Sequence, residues 1–528
     1  MGLTKTLNEY FSEKFFFKYN FKYCIKREEF VSNFLKVFKQ KKEEVFKVFN
    51  YTEQTNFLLK DENFHLYLEN EFLNLQLSYN FLNKQNREIE VLKLNKDMLI
   101  EHTSANPIGV LHTGNLLNTL LGRYLKNFYT IKGYNVYSIF YVNDRGMAIC
   151  KFIYNLISNE DLFFSDENIQ NLHNYITKEK ILKTDARLEE TDFVKEKLKV
   201  INNLINNGIL CKLVKKITSN WLSKIKFQVK KFKVKFDFFQ FESKLSSNKI
   251  KDIFYICCIL SEIGYLFNDK FISFLKENNI NLKYSSKNLS KFTFIFSSNI
   301  EFPLISINTQ FGNLFLTKDK GVCTYFLHDL LLLFNKHFFN NITIFGIDHK
   351  QHALVLQDIQ KKLDNSNLIK KFKFSSLFKK LYNNNAEKQN PTKKIVFLPL
   401  LKEKKMKISK RKGNDSLGWK TLLDINMQLN IFLNFDQNVE EINLENIKNI
   451  NFIKIKEDFS NFLIKTESSE IDILTNYLEP ELYINENPST FLKSFIKLHS
   501  SLENIKVNSV NKIIISNVLS YFMSLYLK

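Results

Sequence analysis

Met98-Leu-Ile-Glu-His-Thr-Ser-Ala-Asn-Pro-Ile-Gly-Val-Leu-His-Thr-Gly-Asn115 opens on an apolar run and passes through a Pro- and Gly-containing turn. Leu116, Leu117, Leu120, Leu121, Tyr124, Leu125 and Phe128 then recur at helical spacing, so a helix is expected from near Gly114-Asn115. Gly133 ends it, and residues 136–142 read as a strand. Strand, turn, helix and strand in this order make a βαβ unit of a parallel α/β sheet. His112 and Gly114 occupy the turn at the helix N-terminus, where backbone N–H groups and the helix dipole favour phosphate.

Outward from this block, the rare residues point the same way. The chain has 528 residues but only 13 glycines, and five of them (Gly109, Gly114, Gly122, Gly133, Gly146) fall between positions 109 and 146. A composition this poor in glycine places it where backbone geometry demands it. Histidines cluster likewise, with His102 and His112 here and His328, His349 and His352 in a second block. At this length two to four domains are expected, and with 44% hydrophobic residues the chain can bury real cores. That excludes a disordered tail or a disulfide-stapled mini-protein.

The net charge of +21 favours a polyanionic partner, yet only six of the 76 basic residues are arginine. With 53 phenylalanines beside that lysine excess, part of the charge reads as compositional bias of the whole chain. The six cysteines show no C-x-x-C pair or zinc spacing, so no metal site is expected and a reducing cytoplasmic location is. No run of 18 or more apolar residues occurs, so a membrane partner is not expected.

Three blocks in order carry a resemblance. Ser104-Ala-Asn-Pro107, His112-Thr-Gly-Asn115 and Tyr141-Val-Asn-Asp144-Arg-Gly146 resemble the nucleotide-binding half of class I aminoacyl-tRNA synthetases, and within that class the arginyl-tRNA synthetases, with their S-A-N-P, H-I-G-H and Y-x-N-D patterns. The last histidine of the box is Asn115 here, which can hydrogen-bond phosphate or ribose but carries no charge. The second block runs from Phe315 to Asp329 and resembles the segment whose Tyr and Asp, four residues apart, touch the amino acid; Tyr325 and Asp329 would share one helix face. Residues 342–349 then read as a further strand. The third is Lys407-Ile-Ser-Lys410-Arg411, similar to the K-M-S-K-S loop, 295 residues after His112.

The resemblance implies a fold and a chemistry. The fold would be α/β: a class I synthetase Rossmann-like parallel sheet with an inserted segment at about 150–310, within a catalytic domain at 93–418. An N-terminal α+β domain at 1–92 would contact tRNA. A shortened all-α helical domain of the anticodon-binding type would occupy 419–528, although the Ala-His-Ala-Arg signature is not found in 446–459. The activity would be arginine–tRNA ligation with ATP, accompanied by Mg²⁺, acting on L-arginine and tRNA(Arg) as a monomer. His112, Lys407 and Lys410 would be catalytic. His112, Gly114, Asn115, Gly346, His352 and Lys410 would bind ATP, and Glu101, Asn106, Tyr325, Asp329 and His349 the arginine. Two other readings stand beside it: a non-catalytic RNA-binding relic, and another class I synthetase.

Overall fold

The computed structural model describes residues 21–24, 29–32, 57–60, 64–69 and 72–77 as strands, together with residues 96–158, 166–185, 187–189, 191–245, 249–282, 303–318, 322–364, 391–403, 406–407, 418–435, 439–447, 449–464, 488–505 and 509–527. The chain divides into two compact units, one of residues 1–93 with 424–528 and one of residues 94–423.

In the first unit, β1 (Phe21–Cys24), β2 (Glu29–Ser32), β3 (Phe57–Lys60), β4 (Phe64–Glu69) and β5 (Phe72–Leu77) form an antiparallel sheet in the order β1-β2-β5-β4-β3. Its C-terminal helices are described after the larger unit.

The larger unit is built on β6 (Asp97–Ala105), whose Met98-Leu-Ile run is buried on both faces, as a central parallel strand requires. Helix α1 (Thr113–Ile131) follows, one residue earlier than the spacing predicts, because His112 caps it. All seven apolar positions that define its stripe are buried. Strand β7 (Asn135–Val142) then pairs parallel to β6, completing the βαβ unit.

Helices α2 (Met147–Ile157), α3 (Asp166–Tyr175), α4 (Lys178–Lys183), α5 (Asp192–Asn206) and α6 (Cys211–Lys231) follow. They enclose a core of their own, from Ile149 and Phe152 to Ile217 and Trp221. The chain returns to the sheet as β8 (Phe238–Phe241), parallel to β7, so the stretch read as an insert contains an edge strand.

Next come α7 (Lys249–Glu262), α8 (Asp269–Glu277), the hairpin β9 (Ser306–Thr309) and β10 (Gly312–Phe315), and the short pair β11 (Thr317–Lys318) and β12 (Val322–Cys323). Helix α9 (Tyr325–Lys336) leads into β13 (Asn340–Gly346), α10 (Lys350–Asp364) and β14 (Lys393–Leu398). The resulting sheet is parallel throughout, in the order β14-β13-β6-β7-β8. The order reverses at β6, with β7 on one side and β13 on the other, so the carboxyl ends of these three strands open the crevice where α/β sheets bind ligands.

Strands β15 (Leu400–Glu403) and β16 (Met406–Lys407) pair antiparallel, and α11 (Gly418–Thr421) closes the unit. The first unit resumes with α12 (Ile425–Leu433), β17 (Glu441–Asn443), α13 (Phe452–Ile464), α14 (Pro488–Ser500) and α15 (Ser509–Phe522). Pro488 sits at the first helical position of α14, where its missing N–H costs nothing. Phe459, Phe491, Phe495 and Phe522 stack into the core of these helices.

Candidate active site at the carboxyl ends of the sheet

The turn after β6 is organised by His112. Its backbone is extended, and its Nδ1 accepts from the N–H groups of Gly114 at 3.1 Å and Asn115 at 3.4 Å. An accepting Nδ1 places the neutral ring's proton on Nε2. A Cβ at Gly114 would come within 3.1 Å of the ring, so glycine lets the imidazole lie over the first turn. No acid stands in that turn, so the positive end of the α1 dipole is not neutralised by its own helix.

Side-chain amides lace this turn to the next motif. Asn115 donates to the Ser104 carbonyl at 3.1 Å, Ser104 to Asn143 Oδ1 at 2.7 Å, and Asn106 to the Asn143 carbonyl at 2.9 Å. The Ser-Ala-Asn-Pro and Tyr-Val-Asn-Asp segments therefore form one structure although 37 residues separate them. A further tie comes from α6: Gln228 donates to the Leu111 carbonyl at 2.9 Å and accepts from the Leu111 N–H at 2.8 Å, gripping the residue before His112.

Near this turn lies a cluster of carboxylates. Glu242, in the turn after β8, is buried with Oε1 3.0 Å from His328 Nδ1, and its Oε2 has no hydrogen-bond partner among the described residues. Burial, then the charges of Asp144 and Asp329, push its carboxyl up to about 8. Asp144 is held by Ser243, whose N–H and hydroxyl donate to its two oxygens at 2.9 and 2.6 Å. Asp329 meets His352 Nε2 at 2.7 Å. The Tyr141 hydroxyl is buried without a hydrogen-bond partner among the described residues, and burial followed by Glu242, Asp329, Glu101 and Asp144 raises its phenol well above the usual range. Unpaired buried polar atoms cost about 1–3 kcal/mol each, which a cationic ligand with several donors would recover.

Gly146 lies against Tyr325. Its φ of +83° suits glycine, and a Cβ there would sit 3.6 Å from the Tyr325 hydroxyl. Tyr325 itself is 52% exposed, presenting its ring at the start of α9.

The sequence-predicted residues separate into groups. His112, Gly114, Asn115 and Asn106 come together at the β6 turn; on α9, Asp329 belongs to the carboxylate cluster and Tyr325 approaches Gly146. His352, read with ATP, and Asp329, read with arginine, are direct partners. Glu101 is buried and bonded to Lys336, which also donates to Thr343 Oγ1 at 2.7 Å; burial raises its carboxyl against the opposing pull of Lys336. Gly346 ends β13, and Asp348 packs close enough that a Cβ would lie 2.6 Å from its carboxylate. His349 follows in a 3-10 turn, largely exposed, with its ring 6.5 Å from that of His352. Lys407 lies on β16, opposite Lys402. Lys410 lies outside the described residues.

Sequence reading missed Glu242 as a site residue and Gln228 altogether. A carboxylate directly after a Phe-rich strand was the available signal for Glu242; nothing local marks Gln228.

Residues 77–258 match the family described as class I tRNA synthetases (R), catalytic domain. The chain is similar to the arginine–tRNA ligase of Methanocaldococcus jannaschii, at 30% identity over 158 residues, 29% of this chain and 27% of that protein. It is also similar to the arginine–tRNA ligase of Saccharolobus solfataricus, at 44% over 68 residues, 13% of this chain and 11% of that one. These matches thus span about a quarter or less of the relatives' own length. Among solved structures, Thermus thermophilus arginyl-tRNA synthetase is similar over 99% of this chain and 97% of that one, with a TM-score of 0.56 at 10% identity. The arginyl-tRNA synthetase of Plasmodium falciparum covers the same shares with a TM-score of 0.50 at 15% identity. Residues 77–258 thus carry the catalytic-domain sequence of class I tRNA synthetases of the arginine type, within a chain that has the class I Rossmann-like α/β fold.

Proposed function

We propose that the chain is an arginyl-tRNA synthetase. The observation that carries this reading is the cluster of Glu242, Asp329, Asp144 and Tyr141 near the His112 turn, with Glu242 Oε2 and the Tyr141 hydroxyl unpaired among the described residues: it reads as an acidic receptor for a cation, beside a helix end suited to phosphate. A guanidinium offers five donors in a planar fork, which Glu242 Oε2, Tyr141 and Asp329 can accept together. Tyr325 closes over it from α9, and Asn106 and His349 contribute polar groups toward the amino-acid end. Glu101, already bonded to Lys336, acts through its field.

The arginine carboxylate attacks the α-phosphorus of ATP, forming arginyl-adenylate as pyrophosphate leaves. A terminal ribose hydroxyl of tRNA(Arg) then attacks the carbonyl carbon, and AMP leaves with the bonding electrons. The protein's part is alignment and charge stabilisation. His112, Gly114, Asn115 and the α1 N-terminus hold ATP, which arrives as its Mg²⁺ complex; Gly346 and His352 bound the nucleotide from β13 and α10; Lys407 and Lys410 follow the triphosphate as charge moves to pyrophosphate. The protein works as a monomer in the cytoplasm. Among the described residues no helix is long and apolar enough to cross a membrane.

Pyrophosphate exchange with each amino acid in turn, with and without tRNA, tests the reading. Exchange with arginine alone supports it. Exchange with another amino acid makes the chain a different class I synthetase. No exchange with any, under conditions where tRNA binds, makes it an RNA-binding relic.

A further inference from the structure

We infer that the solvent face of α6 is an RNA-docking surface, gripping the sugar–phosphate backbone of tRNA and stacking an unpaired base on Phe227. The choice of tRNA as the RNA rests on the proposed function; the affinity for RNA does not.

The local composition departs from the chain's bias. Residues 207–236 contain nine lysines and no Asp or Glu, whereas 55 acids spread evenly over 528 residues would put about three there. Drift toward lysine adds lysines everywhere but does not remove acids from one helix. The helical period sorts α6 sharply. Leu213, Val214, Ile217, Trp221, Leu222, Ile225 and Val229 are buried, and the opposite half carries Lys212, Lys215, Ser219, Ser223, Lys224, Lys226, Phe227, Lys230 and Lys231. Among the described residues no ion pair engages Lys212, Lys215, Lys224, Lys226 or Lys230. At 21 residues the helix is about 30 Å long, a row long enough to follow several phosphates.

Phe227 gives the surface more than charge. It is 63% exposed in the middle of the lysines, with the Lys231 ammonium 5.0 Å from its ring centre, while Lys226 lies 4.4 Å from the ring of Phe239. Exposed aromatics interleaved with ammonium groups are how single-stranded nucleic acid is held without base readout. An anionic membrane would use the same lysines but gains little from one ring on a helix whose apolar stripe is buried against the protein.

Position ties the surface to the site. On its buried side, α6 grips Leu111 through Gln228, and its C-terminal Phe232 carbonyl accepts from Arg123 of α1 at 2.7 Å. RNA on the outer face therefore lies about one helix diameter, ~10 Å, from the turn that carries His112.

Fluorescence anisotropy of labelled tRNA(Arg) transcript with the full chain tests this, over a salt series. The Lys224→Gln/Lys230→Gln/Lys231→Gln triple variant is expected to keep its melting temperature and lower the slope of log affinity against log salt by about 2–3. Phe227→Ala is expected to weaken binding about 5- to 100-fold without changing that slope. KM values for ATP and arginine, measured at saturating tRNA, stay unchanged in both. Wild-type affinity and slope in the triple variant overturn the inference, as does lysine-dependent binding of vesicles of 30% phosphatidylserine with none of tRNA. A chain that binds tRNA through this face yet activates no amino acid overturns the synthetase reading alone; one that charges tRNA(Arg) equally well with the triple variant at sub-saturating tRNA overturns the docking surface alone.

Discussion

Asp329 on α9 and His352 on α10 are in direct contact, Oδ2 to Nε2 at 2.7 Å, so one hydrogen bond would join the amino-acid and nucleotide sides of the proposed site. The carboxylate also stands within the electrostatic reach of Glu242 and Tyr141. Asp329→Asn keeps the shape and one acceptor oxygen but removes a half-buried charge from the proposed cation receptor. The expected loss in kcat/KM for arginine is about 2–5 kcal/mol, read by pyrophosphate exchange. A carboxylate that only capped or solvated its helix would change it by about 1 kcal/mol or less. A value within threefold of wild type removes Asp329 from the arginine site.

Glu242 is expected to make stability and, in the proposed function, arginine binding depend on pH. Its folded-state carboxyl is raised from the usual range to about 8, so between pH 4.5 and 8 the unfolded chain loses this proton while the folded protein keeps it. The favourable contribution is therefore complete below pH 4.5 and is lost as pH rises toward 8. Glu242→Gln is expected to melt at about the wild-type temperature at pH 4.5 and several degrees higher at pH 8. A guanidinium, by contrast, favours the ionised carboxylate. Arginine binding at pH 7 should therefore release a proton and tighten as pH rises to 8. Calorimetric titration in two buffers of different ionisation enthalpy measures that proton, and no buffer dependence would remove Glu242 from the pocket.

Gln228 and Leu111 form a closed pair of hydrogen bonds across 117 residues of sequence. Gln228→Leu keeps the buried volume but leaves the Leu111 N–H and carbonyl unpaired, at about 1–3 kcal/mol. Because Leu111 precedes the His112 cap, which the proposed function assigns to ATP, the loss is expected to reach ATP before it reaches arginine. KM for ATP should rise about 5- to 20-fold with KM for arginine within twofold, in steady-state exchange. Equal rises in both would mean that the pair supports the fold at large and not the nucleotide turn.

What the sequence disclosed follows from range. The βαβ unit was legible because its signals are local: an apolar run, a turn with Pro107 and Gly109, and a helical stripe from Leu116 to Phe128. Its match to the structure is close: the cap at His112 moves the helix start, and the second strand begins one residue earlier than read, at Asn135. The receptor was less legible because its members arrive from β7, the turn after β8, and α9, and no spacing rule relates Tyr141 to Glu242 or Asp329. Glu101 shows the converse. Its place in a motif suggests ligand contact, whereas its carboxylate is bonded to Lys336, 235 residues away. Lys336 reads in sequence as the basic residue that ends an amphipathic helix, and only the sheet brings it under β6.

Gly122 offers a test of packing in which two known effects oppose one another. It lies in the interior of α1, where alanine is normally favoured over glycine by about 1 kcal/mol. A Cβ there would lie 2.0 Å from His102 Cγ and 2.5 Å from its Cβ, at the root of the side chain where rotation gives no relief. His102 has little freedom to move. It is buried on β6, stacked on Phe236 at 4.8 Å, and bonded through Nδ1 to Thr103 Oγ1, which in turn meets Thr119 of α1 at 2.8 Å. Burial, assisted by Lys126, lowers the ring to about 3, so it is neutral and cannot escape by taking a charge into water at ordinary pH. The helix must then lift from the strand, at the usual overpacking cost of about 1–3 kcal/mol or more, which exceeds the gain in propensity. Gly122→Ala is therefore expected to lower the melting temperature. Gly122→Ala/His102→Ala, which removes the obstructing ring, should recover part of that loss relative to His102→Ala alone. A single variant as stable as wild type would show that α1 does not sit on β6 as closely as these distances state.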